Sequence, residues 1–275
     1  MDDLHRPDSA VRVALSIAGS DSGGGAGIQA DLKTFEAFGV FGTTALTAVT
    51  AQNTLGVEAA HALPAGLVRR QIDAVAADLR PYATKTGMLA SAEIVEVVIG
   101  AARELDLGPL VVDPVMVATS GDRLLDEEAV RLVRAGLVPE AAVVTPNRAE
   151  AAVLVERELG DPKGLAGAAR RLVDLGAAAA LVKGGHLSGD RVVDILWDGE
   201  TETVWESARI SRRDTHGTGC TLSAAITAGL ARGDALVKAV DRAIRFTRRA
   251  IELAPGLGEG HGPLGHRAAR DALED

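Results

Sequence analysis

The segment of this sequence best suited to chemistry is residues 214–221, which read Asp-Thr-His-Gly-Thr-Gly-Cys-Thr. It stands directly before a long alanine-rich stretch that is predicted to be a helix. Glycines at a helix start, here Gly217 and Gly219, leave backbone N–H groups free along the positive end of the helix dipole. Such a turn binds anions and suits the charge that develops on a phosphoryl group in transfer. Thr215 lies in the same turn.

Cys220 is the only cysteine of the chain and falls in the first turn of that predicted helix. The helix dipole lowers the pKa of a thiol in this position, which favours a catalytic role. A lone cysteine is more often a small buried core residue. The glycine-rich turn around Cys220 favours the catalytic interpretation, and the sequence alone leaves both open.

Polar residues also follow several predicted strands. Asp113 ends a buried apolar strand, where an aspartate is suited to hold hydrated Mg²⁺ or, alternatively, to cap a turn. Asn147 and Glu150 have the spacing of a helix capping box, which by itself says only that a helix starts there. Lys183 precedes Gly184 and Gly185, so it is either a phosphate-binding lysine or an exposed loop lysine.

The first predicted strand runs into a loop with five glycines between residues 19 and 27, beginning at Gly19. So much glycine lets the backbone approach a ligand closely, although a simple strand-to-helix turn is the alternative. No Lys-Ser/Thr pair follows, which excludes a Walker-type phosphate loop, and the glycine spacing fails the dinucleotide fingerprint of dehydrogenases. Asp31 on the following helix and Gln52 after the second strand are further polar candidates.

The elements that position these residues alternate along the chain. Strands are predicted at 11–18, 43–50, 83–86, 110–113, 142–145 and 179–183, and helices at 26–38, 65–79, 92–105, 126–135, 148–156 and 164–175. A hairpin (191–197 and 203–210) and two helices (218–231 and 235–253) follow. The alternation predicts an α/β fold of three layers, with a mostly parallel sheet between helices. We expect one domain over residues 11–266, with tails at 1–10 and 267–275.

The bulk composition narrows the class of protein. The net charge is −9 and aromatic residues make up 3% of the chain. Both values argue against nucleic-acid binding, because phosphate backbones are repelled and stacking platforms are scarce. No apolar run is long enough to cross a membrane, and the amino-terminal residues do not resemble a signal peptide. With a single cysteine, a cytoplasmic metabolic enzyme is the expectation.

Seven short stretches, taken in order, resemble one known family. They are residues 18–33, 51–54, 85–89, 113–116, 145–147, 183–186 and 215–223. Together they are similar to the hydroxymethylpyrimidine/phosphomethylpyrimidine kinases of thiamine biosynthesis, which belong to the ribokinase-like superfamily. The resemblance extends over residues 13–266.

The resemblance implies an activity and a set of roles. The family uses MgATP to phosphorylate 4-amino-5-hydroxymethyl-2-methylpyrimidine and then its monophosphate at one site, and relatives suggest a homodimer. Residues matching the pyrimidine pocket are Gly19, Asp31, Gln52, Met88 and Val115. Residues matching nucleotide, Mg²⁺ or phosphate positions are Asp113, Asn147, Glu150, Lys183, Gly185, Thr215 and Gly217. Cys220 matches the position of a catalytic aspartate in the sugar kinases of the superfamily.

Two other functions compete with this one. A vitamin B6 (pyridoxal) kinase is a close relative, and some members of that branch also have a cysteine at the position of Cys220. Gln52 and Met88 favour the pyrimidine. A regulator that binds a nucleotide without catalysis is the third candidate, and the intact loop around Cys220 argues against it.

Overall fold

The computed structural model describes residues 11–116, 125–185 and 190–270. Within these ranges nine strands form one sheet in the order β3-β2-β1-β4-β5-β6-β7-β8-β9. Strands β1, β2, β4, β5, β6 and β7 are parallel, whereas β3, β8 and β9 pair antiparallel at the two ends of the sheet. The strands are β1 (Val13–Asp21), β2 (Phe41–Gln52), β3 (Val57–Ala62), β4 (Ala83–Thr86), β5 (Leu110–Val112), β6 (Val143–Val144), β7 (Ala180–Val182), β8 (Arg191–Trp197) and β9 (Glu202–Ala208).

Helices cover both faces of this sheet. They are α1 (Gly27–Ala37), α2 (Ala65–Asp78), α3 (Ala92–Glu104), α4 (Glu127–Leu132), α5 (Arg148–Val155), α6 (Pro162–Asp174), α7 (Thr218–Ala231), α8 (Leu236–Glu252) and α9 (His266–Ala269). One core packs α2 to α6 against the sheet, and a second core packs α1, α7, α8 and α9 against its other face. Within β5, Leu110 and Val112 face the first core and Val111 faces the second. This alternation explains why the central strands are continuous apolar runs.

The predicted three-layer α/β fold is confirmed, and most elements fall within a few residues of their predicted ends. Strand β3 and helix α9 were not predicted from the sequence. Strand β3 is short, rich in alanine and mostly exposed, so it lacks the buried β-branched pattern that marks a strand. Helix α9 begins at His266, with Ala269 fully buried, so the predicted tail from 267 begins inside a packed helix. Residues 1–10 and 271–275 lie outside the described ranges.

A carboxy-terminal segment, residues 254–265, crosses the edge of the sheet where the parallel strands end. The backbone N–H of His261 donates to the carbonyl of Thr54, and the N–H of His216 donates to the carbonyl of Gly262. The guanidinium of Arg213 donates to the carbonyl oxygens of Gly258 and Glu259. The segment therefore ties the loop after β2 to the turn before α7. No helix in the described parts of the chain is long and apolar enough to span a bilayer.

Candidate active site

A cavity of about 730 Å³ opens at the carboxyl ends of the parallel strands. Ligands bind at this edge in open α/β sheets because the loops that follow the strands converge there. Of the residues predicted from the sequence, all but Asp31 line this cavity: Gly19, Gln52, Met88, Asp113, Val115, Asn147, Glu150, Lys183, Gly185, Thr215, Gly217, Gly219 and Cys220. His186, the last residue of one motif, lies outside the described ranges.

The glycine-rich loop after β1 folds around the carboxylate of Asp21. Its Oδ1 accepts the backbone N–H of Gly23, and its Oδ2 accepts those of Gly25 and Ala26, at 2.8–2.9 Å. Burial acts to raise the pKa of Asp21, but these bonds and one from His216 hold it below the usual value. These three amides serve to shape the loop and are not free for a ligand.

The turn before α7 packs directly on that loop. Gly217 has a left-handed backbone (φ +83°), and a Cβ on it would lie 1.8 Å from the carbonyl oxygen of Gly25. Only glycine fits there. The N–H groups of Gly219 and Cys220 have no backbone or side-chain acceptor among the described residues. Free amides at the start of this helix, as the sequence predicts, are therefore present in the cavity wall, except at Thr218, whose N–H donates to the carbonyl of Thr215.

Lys183 and Asp113 form an ion pair beside this turn. The Nζ of Lys183 lies 3.1 Å from Oδ1 of Asp113, whose Oδ2 accepts the hydroxyl of Ser223. Burial acts to raise the pKa of Asp113, but Lys183 and Lys85 outweigh it and hold the pKa below its usual value. A Cβ on Gly219 would lie 3.4 Å from Nζ of Lys183, so the lysine reaches the helix start. Lys183 is therefore not an exposed loop lysine, and its phosphate-binding role stays a prediction.

Asn147 and Glu150 form the capping box that their spacing indicates. The side chain of Asn147 accepts the N–H of Glu150, and a carboxylate oxygen of Glu150 accepts the N–H of Asn147 at 2.8 Å. Glu150 also lines the cavity. Burial raises its pKa to about 7, with Asp113 acting in the same direction and Lys183 against it. The capping role and a role in the site are therefore compatible.

The pKa expected for Cys220 is wrong. The sequence predicts a thiol pKa lowered by the helix start, whereas burial raises it to about 11. The charge of Lys85 and the backbone N–H of Gly27 act to lower it, and the carboxylates of Asp31 and Asp113 act to raise it. At neutral pH the thiol keeps its proton in the free protein.

Asp31 is the one predicted residue that does not reach the cavity. Its side chain is 0% exposed, as is that of Lys85, and the two form an ion pair of 2.8 Å. The hydroxyl of Ser16 donates to the other oxygen of Asp31. A substrate contact by Asp31 is therefore wrong for this conformation, because both carboxylate oxygens are sealed beneath the cavity.

The cavity wall formed by the β8–β9 hairpin and α8 was not predicted from the sequence. Asp194 on β8 accepts the N–H of Gly184 at 2.9 Å, and Arg209 donates to the carbonyl of Gly185 at 2.7 Å. Arg248 of α8 donates to the carbonyl of Ala208. Asp194 and Arg209 thus hold the turn after β7, and Arg248 holds the end of β9. A charge inside an apolar strand, as at Asp194, was the one sequence signal that could have identified this wall.

The model for the family described as phosphomethylpyrimidine kinase matches residues 21–265. The chain belongs to this family. A hydroxymethylpyrimidine/phosphomethylpyrimidine kinase from Rhizobium meliloti is 51% identical over 257 residues, which are 92% of this chain and 96% of that protein. The resemblance found in the sequence motifs is thereby confirmed over nearly the whole chain.

Solved structures of two kinds of vitamin kinase share the fold of this phosphomethylpyrimidine kinase family member. An ADP complex of a Bacillus subtilis pyridoxal kinase has a TM-score of 0.88 and 38% identity, covering 95% of this chain and 99% of that one. A phosphomethylpyrimidine kinase from Clostridium difficile has a TM-score of 0.79 and 40% identity, covering 87% and 99%. The predicted ribokinase-like fold and the kinase activity of the family follow from these likenesses.

The donor set of this family member suits a hydrated Mg²⁺. Asp113 and Glu150 are both buried in the cavity wall, and the charge of Asp113 acts to raise the pKa of Glu150. A divalent cation between them would relieve that repulsion. No cluster of three or more metal-ligating side chains occurs in the described ranges. Mg²⁺ commonly uses one or two carboxylates, with water and substrate phosphates completing its shell, so two carboxylates suffice.

Proposed function

We propose that this protein uses ATP to phosphorylate 4-amino-5-hydroxymethyl-2-methylpyrimidine, and then the monophosphate to the diphosphate, in thiamine biosynthesis. The observation that carries the proposal is the pair of unpaired amides, on Gly219 and Cys220, that face the cavity beside Lys183. Phosphoryl transfer depends on positioning the reactants and on stabilising the charge of the transferring group. The two amides and Lys183 stabilise that charge.

The pyrimidine end of the cavity is assigned to the strand ends β1, β2 and β4. Gly19, Gln52, Met88 and Val115 line it. A Cβ on Gly19 would lie 2.3 Å from Cε of Met88, so this glycine leaves room for the methionine to form an apolar wall. Gln52 supplies both a donor and an acceptor for a heterocycle. Apolar walls with one such amide suit a flat aminopyrimidine.

The phosphate end is assigned to the turn before α7 and to Lys183. The free amides of Gly217, Gly219 and Cys220 stabilise the oxygens of the transferring group, and the ammonium of Lys183 adds a positive charge. Asn147, Gly185 and Thr215 line the part of the cavity assigned to ATP. Asp113 and Glu150 would hold Mg²⁺ through water, and the ion would supply positive charge that offsets the charge of the phosphates.

Cys220 is assigned to the hydroxymethyl group of the substrate. Its pKa of about 11 does not favour a thiolate base in the free protein. A loose phosphoryl-transfer transition state needs little help from a base. We therefore assign the thiol to orienting the attacking hydroxyl, and charge stabilisation to the amides around it.

Mass spectrometry of the products tests the proposal. The protein is incubated with ATP, Mg²⁺ and the pyrimidine alcohol, and the monophosphate and diphosphate are measured over time. We expect the monophosphate first and the diphosphate later. Formation of neither product, with folded protein, overturns the proposal.

A vitamin B6 kinase is the second candidate, because the Bacillus subtilis structure with the TM-score of 0.88 is described as a pyridoxal kinase. Pyridoxine assayed beside the pyrimidine, under the same conditions, decides between them by the ratio of kcat/KM. A homodimer, a cytoplasmic location and the absence of nucleic-acid binding stay predictions, as does the single domain over residues 11–266.

A further inference from the structure

His216 contacts two residues of the pyrimidine end but has no assigned role. Its Nε2 lies 2.9 Å from Oδ2 of Asp21 and 3.2 Å from the terminal amide of Gln52. Its side chain is 12% exposed and lines the cavity. His216 also directly precedes Gly217, so it joins the substrate wall to the turn assigned to the phosphate.

The contact with Asp21 fixes which hydrogen His216 carries. An ionised carboxylate only accepts hydrogen bonds, and Asp21 already accepts three backbone amides. The imidazole nitrogen that faces it must therefore be an N–H. This holds for the neutral ring with its proton on Nε2 and equally for the charged ring.

The proton on His216 in turn fixes the orientation of the Gln52 amide. An N–H does not accept a hydrogen bond from an NH₂ group, so the amide must turn its oxygen toward His216. The amide oxygen and nitrogen are assigned by their partners in such networks. The NH₂ group then faces the hydroxyl of Thr50, 3.1 Å from the amide. That hydroxyl can accept, because its own hydrogen is donated to the carbonyl of Ser20 at 2.8 Å.

In this arrangement the one hydrogen on Nε2 of His216 is shared between Asp21 and the Gln52 oxygen, and the NH₂ group of Gln52 donates to Thr50. One N–H and one oxygen lone pair of Gln52 remain for the cavity, in a fixed order. An aminopyrimidine presents an amino N–H next to a ring nitrogen that accepts. Its edge is complementary to an amide whose oxygen and nitrogen cannot exchange places.

We infer that Asp21 and His216 determine specificity by holding the Gln52 amide in one orientation, and that an aminopyrimidine is recognised through it. This inference rests on the proposed function, since the aminopyrimidine is the substrate proposed above. His216 acts through Gln52 and is a positioning residue, as is Asp21.

Kinetics of His216 variants test the inference. His216→Leu removes the N–H, so KM for the pyrimidine should rise about tenfold, the effect of one lost hydrogen bond, while KM for ATP stays within twofold. His216→Gln carries an N–H at a similar reach and should restore most of the affinity. His61→Leu, a change at an exposed histidine on β3, is the matched control and should leave both KM values unchanged.

A double-mutant cycle with Gln52→Ala separates orientation from general damage. Once the amide is absent, His216→Leu should raise the pyrimidine KM by less than twofold. Additive effects of the two changes overturn the inference, as does an equal rise of both KM values in His216→Leu. If instead the wild type makes no pyrimidine phosphate, the proposed function fails, and this is seen before any variant is made.

A direct measurement covers the case in which the variants fold poorly. In protein labelled with ¹⁵N-histidine, the ring signals of His216 should show a proton on Nε2. The signals are assigned by their loss in His216→Gln. An unprotonated Nε2 overturns the inference regardless of the kinetics.

Discussion

Two lysine–aspartate pairs lie near the cavity and differ mainly in their surroundings. One pair lines the cavity, and the other is buried outside its lining. Lys85 and Asp31 are both 0% exposed and lie 2.8 Å apart. Lys183 and Asp113 are 14% and 2% exposed and lie 3.1 Å apart. The first pair is sealed between β1, α1 and β4, whereas the second opens to the cavity through its lysine.

The difference shows how one kind of ion pair can serve two purposes. A sealed pair cannot meet a ligand, and its main energetic consequence appears when one partner is removed. The charge of Lys183, in contrast, is available to a phosphate. Burial acts to lower the pKa of Lys85, but the carboxylates of Asp31 and Asp113 act to hold it above the usual value. Lys85 therefore stays charged and influences the cavity from below.

The largest expected effect is the loss of stability when the sealed pair is broken. Lys85→Met leaves the Asp31 carboxylate buried with only the Ser16 hydroxyl, which should cost about 3–5 kcal/mol of unfolding free energy. Urea unfolding followed by circular dichroism measures it. Adding Asp31→Leu should recover most of the loss, and a loss below about 1 kcal/mol in the single variant would contradict a structural role for the pair.

The next largest effect is a loss of activity when the Lys183–Asp113 pair, which is open to the cavity, is broken. Lys183→Met removes the positive charge beside the turn before α7, so kcat should fall about 100-fold. Its unfolding free energy should change by less than half as much as in Lys85→Met, because Thr145 and Ser223 still donate to Asp113. Lys163→Met, at an exposed position of α6, is the control. Equal losses of stability in the Lys183 and Lys85 variants would remove the distinction between the pairs.

The smallest effect concerns Cys220, whose pKa is influenced by both pairs. Because the thiol pKa is about 11, the thiolate fraction grows tenfold per pH unit up to that value. Alkylation by iodoacetamide should therefore keep rising from pH 7 to 9.5 without levelling. Cys220→Ala should lower kcat by tenfold or less and leave the shape of its pH profile unchanged, as expected for an orienting group. A plateau in alkylation near pH 8 would show a lowered pKa and restore the base role.

The sequence predicted the fold well where burial imposes a pattern. The runs at 83–86 and 218–231 were predicted with the bounds that the structure has, and the first is wholly buried and the second mostly buried. Strand β3 could not be found in this way, since its exposed alanines carry no pattern and its pairing with β2 comes from tertiary structure.

The cavity residues were predictable because they follow the strands directly. Asp194, Arg209 and Arg248 were missed because they reach the cavity from β8, from the end of β9 and from α8, far from any glycine-rich motif. The predicted substrate contact of Asp31 and the predicted low pKa of Cys220 were wrong for the same reason. The degree of burial depends on how Lys85 and the surrounding elements pack, and no local spacing encodes it.

The crossing of residues 254–265 over two loops has a practical consequence for anyone who redesigns this protein. Shortening the chain after residue 256 would remove Gly258, His261 and Gly262, the partners of Arg213, Thr54 and His216. Both sides of the cavity entrance would lose these contacts, although none of the deleted residues lines the cavity. A fusion partner should accordingly leave residues 254–265 intact. Libraries that aim at altered substrates can vary this segment, which lies outside the pocket.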